Sequence, residues 1–251
     1  VTGGAAADAV TGGGGDDTIV GGAGVDNLVG GNGNNMFVYL SSAADATGAG
    51  ETITGGSGTD TVVVAGGTTA VDFSDDTLSA LNTLELTKDS AGSADTNAQS
   101  LTMTDAQIDG FTIINSAAGD NITLGDVMTS DMLDNTVINT DLKLILKNVA
   151  SNALTLVDAT MDDTGDKLTV DGSNLTGSNA LTFTGTLETT AEVSVTGGAA
   201  ADAITGGGGN DTIIGGAGAN VLTGNAGVDS ITGGADADTI TGGAGADKLV
   251  G

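Results

Sequence analysis

The chain has 251 residues, and its 33 acidic residues against five basic ones give a formal net charge of −28 at pH 7. This composition excludes nucleic-acid binding, because no basic surface is available to neutralise phosphates. The sequence also lacks histidine and cysteine, which excludes disulfides, zinc hydrolases and the Ser-His-Asp and Cys-His classes of enzyme.

A nine-residue pattern, G-G-x-G-x-D-x-U-x with a large apolar residue at U, is repeated eleven times in two blocks. The copies occupy residues 3–11, 12–20, 21–29, 30–38 and 55–63, and six more run without a break from 197 to 250. Glycines at the first, second and fourth positions predict a tight turn with positive φ angles. The apolar eighth position, flanked by Thr, Val and small residues, predicts a strand of about three residues. Because so short a strand needs neighbours, we expect the copies to stack as a parallel β-solenoid with an internal apolar ladder.

The sixth position of every copy holds Asp or Asn. These residues are Asp8, Asp17, Asp26, Asn35, Asp60, Asp202, Asp211, Asn220, Asp229, Asp238 and Asp247. If two copies form one coil, Asp8 stacks on Asp26 and Asp17 on Asn35, roughly 4.8 Å apart, and stacked carboxylates repel unless a cation lies between them. Calcium suits this place better than magnesium, since it accepts six to eight oxygens in a flexible shell and glycine turns expose backbone carbonyls. Asp also caps turns without binding metal, but eleven copies in register favour several structural calcium ions.

The middle of the chain, residues 64–196, has less glycine and a series of apolar β-like segments. These lie at 84–87, 101–104, 111–114, 122–124, 142–146, 154–157, 168–170, 181–184 and 193–195. Two architectures fit, an irregular β-solenoid that continues the coil and a separate β-sandwich. The solenoid is favoured, because the last segment runs directly into the second block and the chain contains no proline. The predicted division is a first block at 1–63 with a loop insertion at about 39–54, the middle segment, and a second block at 197–251.

Two short helical turns are also predicted in the middle segment. Leu78, Leu81 and Leu84 recur at three-residue spacing within residues 75–86, which indicates a turn of helix. Residues 104–108 are the second candidate.

A repeat longer than the nonapeptide is also present, since residues 1–9 recur unchanged as residues 195–203. Residue 251 would be the first glycine of another copy. We therefore expect the sequence to be a segment of a longer, tandemly built protein.

Adjacent acidic pairs are the remaining candidates for catalysis, as in carboxylate glycosidases or calcium-assisted polysaccharide lyases. They are Asp16–Asp17, Asp75–Asp76 and Asp162–Asp163. Neighbouring side chains on a strand point to opposite faces, however, and those in a turn splay apart. Lyases of this kind also use a basic group, and the chain has five scattered lysines. We predict no enzymatic activity.

The two blocks, about 100 of 251 residues, resemble the RTX (repeats-in-toxin) calcium-binding parallel β-roll. The resemblance implies an all-β, right-handed parallel β-roll in which the sixth-position side chains and the carbonyls of turn glycines bind calcium. The implied glycines are Gly13, Gly15, Gly22, Gly24, Gly31, Gly33, Gly207, Gly209, Gly216, Gly218, Gly227, Gly234, Gly243 and Gly245. Asn35 and Asn220 depart from the pattern and imply less charged sites, and Ala6, Ala200 and Asp236 replace turn glycines.

The Thr-, Ala- and Gly-rich composition further resembles RTX-type bacterial surface-layer proteins and giant adhesins. That resemblance implies type I secretion and a place outside the cell or on the bacterial surface. The first hypothesis is a calcium-stapled structural segment of a surface layer, surface fibre or adhesin. The alternative is the folding and secretion region of a type I-secreted toxin or hydrolase. Expected partners are copies of the chain, adjoining segments of a longer chain, and cell-surface polysaccharide, with no nucleic acid and no transmembrane segment.

Overall fold

The computed structural model describes residues 1–40, 50–66, 70–87, 94, 97–117, 119–129, 132–133, 136–139, 141–156, 161 and 166–251. Within this part of the chain, the secondary structure is 24 β-strands and a single five-residue helix. The chain divides into two compact units, Val1–Asn121 and Ile122–Gly251. The division into 1–63, 64–196 and 197–251 stays a prediction. Of the expected insertion at about 39–54, residues 39–40 and 52–54 belong to strands, and 41–49 lie outside the described residues.

The first unit is built from short strands that alternate between two sheets. Its elements are β1 (Ala9–Gly14), β2 (Thr18–Ile19), β3 (Asn27–Asn32), β4 (Met36–Leu40), β5 (Thr52–Ser57), β6 (Thr61–Ala65), β7 (Val71–Asp72), β8 (Thr77–Ser79), β9 (Thr83–Glu85), β10 (Ser100–Met103), α1 (Asp105–Asp109) and β11 (Ile113–Asn115). One sheet has the order β1-β3-β5-β8, a second contains β2-β4-β6-β9-β11, and β7 pairs with β10. The pairings are parallel. Each coil therefore contains one strand from each main sheet, as two nonapeptides per coil predict.

The second unit repeats this arrangement. Its strands are β12 (Asn121–Leu124), β13 (Val137–Ile138), β14 (Leu142–Ile145), β15 (Asn152–Thr155), β16 (Lys167–Asp171), β17 (Leu181–Thr184), β18 (Glu192–Thr196), β19 (Ala203–Thr205), β20 (Thr212–Gly216), β21 (Val221–Ala226), β22 (Ser230–Gly234), β23 (Thr239–Ala244) and β24 (Lys248–Val250). Parallel pairing runs through β14-β16-β18-β20-β22-β24 and through β15-β17-β19-β21-β23. The rungs of the middle segment thus continue directly into the second block. Since a β-sandwich consists of antiparallel sheets, the β-sandwich alternative is wrong for these rungs and the solenoid is confirmed.

The internal ladder consists of the eighth-position side chains in register. Val10 stacks on Leu28 and Leu28 on Ile53 in one sheet of the first unit. In the second unit, the ladder residues Ile204, Ile213, Leu222 and Ile231 are all 0% exposed. Ladder residues in the last two strands are less covered, since Ile240 is half-buried and Leu249 is 48% exposed. A stack of apolar side chains, mostly aliphatic but including Phe37 and Phe183, therefore holds each unit together.

The predicted helical turn at 75–86 is wrong, because two strands occupy that region. Leu78 in β8 stacks on Ile53, and Leu84 in β9 stacks on Val62 in the other sheet. The three-residue spacing of the leucines therefore reflects a sharp corner between two sheets, where Ala80 takes the left-handed conformation with φ of 51°.

The second predicted helical turn, at 104–108, is confirmed as α1. Thr104 caps the helix by accepting the N–H of Gln107, whose side chain accepts the N–H of Thr104 in return. This reciprocal capping box explains why so short a helix forms. Among the described residues, no helix has the length and apolar character needed to cross a membrane.

Candidate metal centres

The sixth-position residues of successive coils form a hydrogen-bonded ladder, which we call the position-6 ladder. The backbone N–H of Asp8 donates to Oδ1 of Asp26 at 2.8 Å, and that of Asp17 donates to Oδ1 of Asn35 at 3.2 Å. Bonds of the same kind join Asn35 to Asp60, Asp202 to Asn220, Asp211 to Asp229, Asn220 to Asp238, and Asp229 to Asp247. The expected stacking of alternate copies is therefore present, and each accepting side chain uses one oxygen to join two coils.

The second carboxylate oxygen is left without a donor in several copies. Within the described residues, these buried oxygens without a hydrogen-bond partner are Oδ2 of Asp17, Asp26, Asp60, Asp229 and Asp238. The side chains of Asp26, Asp60 and Asp229 are at most 2% exposed. A buried anionic oxygen with no partner is unfavourable, so each of these positions calls for a cation or a proton.

The first glycine of each copy forms the wall beside this orphan oxygen. A Cβ added at Gly12 would lie 2.5 Å from Oδ2 of Asp17 and 2.7 Å from the carbonyl oxygen of Gly30 in the next coil. A carboxylate oxygen and a backbone carbonyl oxygen therefore converge on the same small space, and neither is a donor. Oxygen-only surroundings of this kind fit calcium.

Positive φ angles distinguish twelve of the fourteen predicted turn glycines. Their φ values lie between 83° and 146°, and they are Gly13, Gly15, Gly22, Gly24, Gly31, Gly33, Gly216, Gly218, Gly227, Gly234, Gly243 and Gly245. Those that follow another nonapeptide turn approach its backbone closely, as Gly33 does, where an added Cβ would lie 2.5 Å from the carbonyl oxygen of Gly15. This close approach brings the carbonyls of successive turns into line along the stack.

Gly207 and Gly209 do not adopt the left-handed conformation. Their turn stacks on the backbone of Glu188 and Ala191, which belong to the middle segment rather than to a nonapeptide. The N–H of Gly207 instead donates to Oδ2 of Asp211 at 2.8 Å. This turn thus has a different backbone from the turns with positive φ angles, although the turn of Gly13 and Gly15, which also begins a nonapeptide stack, keeps positive φ.

Backbone N–H groups of the protein satisfy the Oδ2 atom of three sixth-position carboxylates. Gly4 donates to Oδ2 of Asp8 at 2.5 Å, and Gly198 donates to Oδ2 of Asp202 at 2.7 Å, as Gly207 does to Asp211. Burial raises the pKa of Asp211 to about 6 even against these hydrogen bonds, and burial also raises the pKa values of Asp202 and Asp229. The charged forms are therefore costly in the protein without a cation.

The position-6 ladder extends to residues that the nonapeptide pattern does not identify. Glu51 donates its N–H to Oδ1 of Asp76 at 2.8 Å, Asp60 to Oδ1 of Asn82 at 2.8 Å, and Gln99 to Oδ1 of Asp120 at 2.7 Å. The sequence carries only a weak signal for them. An acidic or amide residue stands two places before a buried apolar one, as in Glu51 and Ile53, without the preceding run of glycines.

The acidic pairs are explained without a catalytic role where the structure describes them. Oδ1 of Asp16 accepts the N–H of Asn34 at 2.7 Å, one coil away, and Oδ1 of Asp76 accepts the N–H groups of Gly50 and Glu51. The pair at 162–163 lies outside the described residues. In the part of the chain that the structure describes, no three acidic side chains converge on one point. Each metal shell must therefore draw mainly on backbone carbonyls.

Comparison with known families agrees with this geometry. The family model for the RTX calcium-binding nonapeptide repeat (4 copies) matches residues 2–37, 46–68, 194–222 and 223–251. The second match includes Glu51, which stands at the sixth position of a copy without the full glycine pattern. No curated protein matches the chain. The parallel solenoid, the orphan carboxylate oxygens and the four matches agree, and the chain is an RTX β-roll protein whose nonapeptide repeats bind several structural calcium ions.

Proposed function

We propose that this chain is an extracellular structural element, a calcium-stapled β-solenoid segment of a bacterial surface layer, surface fibre or adhesin. The observation that carries the proposal is the set of buried Oδ2 atoms without donors in the position-6 ladder. A fold that buries such oxygens is incomplete without a cation, so folding and calcium binding become one event.

The negative charge of the chain favours the unfolded state when calcium is absent. With a net charge of −28, the calcium-free chain repels itself and stays expanded in a low-calcium cytoplasm. Extracellular calcium modules commonly have dissociation constants of roughly 10⁻⁴–10⁻³ M, so ambient calcium outside the cell drives folding after export. RTX-repeat proteins are typically secreted, which agrees with this order of events.

A structural role is supported by the regular repetition of rungs in the second unit. The rungs of the middle segment continue the parallel sheets into the second block, with β14-β16-β18 leading to β20 and β15-β17 leading to β19. The parallel sheets of the second unit therefore provide a regular surface of repeated rungs. Its partners are copies of the chain or adjoining segments of a longer chain, with cell-surface polysaccharide as a further partner.

The test is to remove calcium from the folded protein. Circular dichroism in excess EGTA should report loss of β-structure, with recovery on adding calcium but not magnesium at the same concentration. Assembly of the full-length protein, followed by electron microscopy, should dissolve over the same calcium range. Retained β-structure in EGTA would contradict the proposal.

The second candidate is the folding and secretion region of a toxin or hydrolase. The four family matches favour it equally, because a calcium-driven fold serves export in either case. Assembly separates the two functions. Lattices or fibres that form with calcium support the structural role, whereas a folded monomer attached to a catalytic domain supports the alternative.

A further inference from the structure

The two stacks of turns in each unit differ at the sixth position. In the second unit, one stack carries Asp211, Asp229 and Asp247, and we call it the carboxylate edge. The other stack carries Asp202, Asn220 and Asp238, and we call it the mixed edge.

The first unit has the same two kinds of edge. Its carboxylate edge comprises Asp8, Asp26, Glu51 and Asp76, which precede β1, β3, β5 and β8. Its mixed edge comprises Asp17, Asn35, Asp60 and Asn82, which precede β2, β4, β6 and β9. Acid and amide thus alternate strictly along one stack and not along the other.

The backbone determines the orientation of each amide in the mixed edge. Oδ1 of Asn35 accepts the N–H of Asp17 at 3.2 Å, and Oδ1 of Asn220 accepts the N–H of Asp202 at 2.8 Å. If either amide were flipped, its NH₂ group would face another donor. The NH₂ group must therefore occupy the place that Oδ2 has in the aspartate copies.

The first glycine of each copy, which lies beside this point, confirms the placement of the NH₂ group. A Cβ added at Gly215 would lie 2.6 Å from Nδ2 of Asn220 and 2.7 Å from the carbonyl oxygen of Gly233. The corresponding distances at Gly12 are 2.5 Å to Oδ2 of Asp17 and 2.7 Å to the carbonyl oxygen of Gly30. The amide nitrogen and the carboxylate oxygen thus stand at equivalent points.

An amide nitrogen at this point donates hydrogen bonds and has no lone pair for a cation. Nδ2 of Asn35 lies 3.1 Å from the carbonyl oxygen of Gly33 and 2.9 Å from Oδ1 of Asp60. Nδ2 of Asn220 lies 3.4 Å from the carbonyl oxygen of Ala217. The amide therefore directs the positive end of a dipole at oxygens of the turn, at the point where an aspartate copy presents an anionic oxygen.

We propose that the Asn35 and Asn220 turns are closed by their own amides and bind no calcium through these side chains, so that calcium on the mixed edge is bound by its aspartate copies alone. The proposal rests on calcium as the folding ligand of the proposed function. It means that the acid and amide turns of one edge differ in their demand for calcium. Alternating amides break the run of like charges on the mixed edge, while its aspartates Asp17, Asp60 and Asp238 keep buried Oδ2 atoms without a donor among the described residues.

The direct test converts an amide into a ligand. Asn220→Asp should add one bound calcium per chain, measured by equilibrium dialysis with radioactive calcium. It should also raise the calcium concentration at the midpoint of folding, measured by circular dichroism, because an added buried charge must be neutralised. Asn174→Asp is the matched control, since it adds the same charge at an exposed loop residue. If Asn220→Asp binds no more calcium than this control, the proposal is wrong.

A second variant and a measurement on the unaltered protein cover the case in which Asn220→Asp does not fold. Asn35→Asp tests the equivalent turn in the other unit with the same expected gain of one calcium. A calcium-bound crystal structure of the natural sequence should have no cation within about 2.6 Å of Oδ1 of Asn35 or Asn220, and a cation there would overturn the proposal. The proposed function is judged separately, by whether the natural chain folds on calcium at all.

Discussion

The backbone N–H of Asp211 donates to Oδ1 of Asp229 at 2.9 Å, while Oδ2 of Asp229 is buried with no donor among the described residues. The two oxygens of one carboxylate thus have separate tasks. Oδ1 links two coils and would do so equally well in an amide, as Asn220 does for Asp202. Oδ2 is the oxygen that needs a cation, and this separation makes the two tasks testable with different substitutions.

Asp229→Asn and Asp229→Ala should therefore differ. The asparagine variant keeps the acceptor for the N–H of Asp211 and should bind one calcium ion fewer. Its free energy of unfolding in calcium should fall by the contribution of that ion. The alanine variant also leaves the buried N–H of Asp211 unsatisfied, which costs about 1–3 kcal/mol more. Urea unfolding at saturating calcium measures the difference. Equal stabilities of the two variants would mean that the Oδ1 bond contributes nothing.

Acidification should partly replace calcium. Burial raises the pKa values of Asp76 and Asp211 to about 6 from the ordinary 3.8 of an aspartate, and the charge of Asp75 adds to the rise at Asp76. Between these two pH values the folded chain binds more protons than the unfolded chain, so its stability falls as pH rises through this window. In calcium-depleted buffer, β-structure measured by circular dichroism should increase as the pH is lowered from 7 towards 4.5.

The control for this pH effect removes one of the two carboxyl groups. Asp76→Asn keeps the Oδ1 acceptor for the N–H groups of Gly50 and Glu51. It should fold more readily than the natural chain at pH 7 without calcium and depend less on pH. An unchanged pH profile would show that other carboxylates control the transition.

The ion pair between Lys143 and Asp171 should contribute to stability without any link to calcium. Nζ of Lys143 lies 2.7 Å from Oδ2 of Asp171, and the two side chains are 41% and 23% exposed. Burial acts to raise the pKa of Asp171, but hydrogen bonds from Lys143 and Ser173 outweigh it and hold the pKa below its usual value. The pair therefore stabilises the fold at neutral pH, and this contribution is lost as the pH falls through the lowered pKa.

Lys143→Met should cost at most about 1 kcal/mol at pH 7, because the pair is partly exposed to solvent. The decrease in the free energy of unfolding, measured by urea unfolding, should be the same at two different calcium concentrations that both saturate the folded chain. Lys248→Met removes an equal charge from β24 and serves as the control. A loss that depends strongly on calcium would contradict an independent role for this pair.

Much of the architecture could be predicted from the sequence because every nonapeptide has the same physical requirement for neighbouring coils. Val10, Leu28 and Ile53 stack because each three-residue strand can bury its apolar side chain only against the coils above and below. The same logic gave the stacking of Asp8 on Asp26. It failed at 75–86, since the spacing of Leu78 and Leu84 is compatible with a helix until their partners in two different sheets are known.

The division of tasks between the two carboxylate oxygens could not be predicted. It depends on a backbone N–H from a residue 18 positions away, such as Asp211 for Asp229, and no local pattern encodes that distance. The glycine-poor turns at Glu51 and Asp76 were missed for a related reason. Their place in the position-6 ladder is determined by neighbouring coils rather than by their own sequence.

Three glycines of one stack separate backbone strain from close packing. Gly33 has φ of 111°, and an added Cβ would lie 2.5 Å from the carbonyl oxygen of Gly15. Gly15 has φ of 97° but open space around an added Cβ, and Gly14 has open space without a positive φ. Alanine should therefore be tolerated at Gly14, cost about 1–2 kcal/mol at Gly15, and cost clearly more at Gly33. Urea unfolding at saturating calcium gives the order, and calcium affinity should fall only for Gly33→Ala, because only that substitution forces two turns apart.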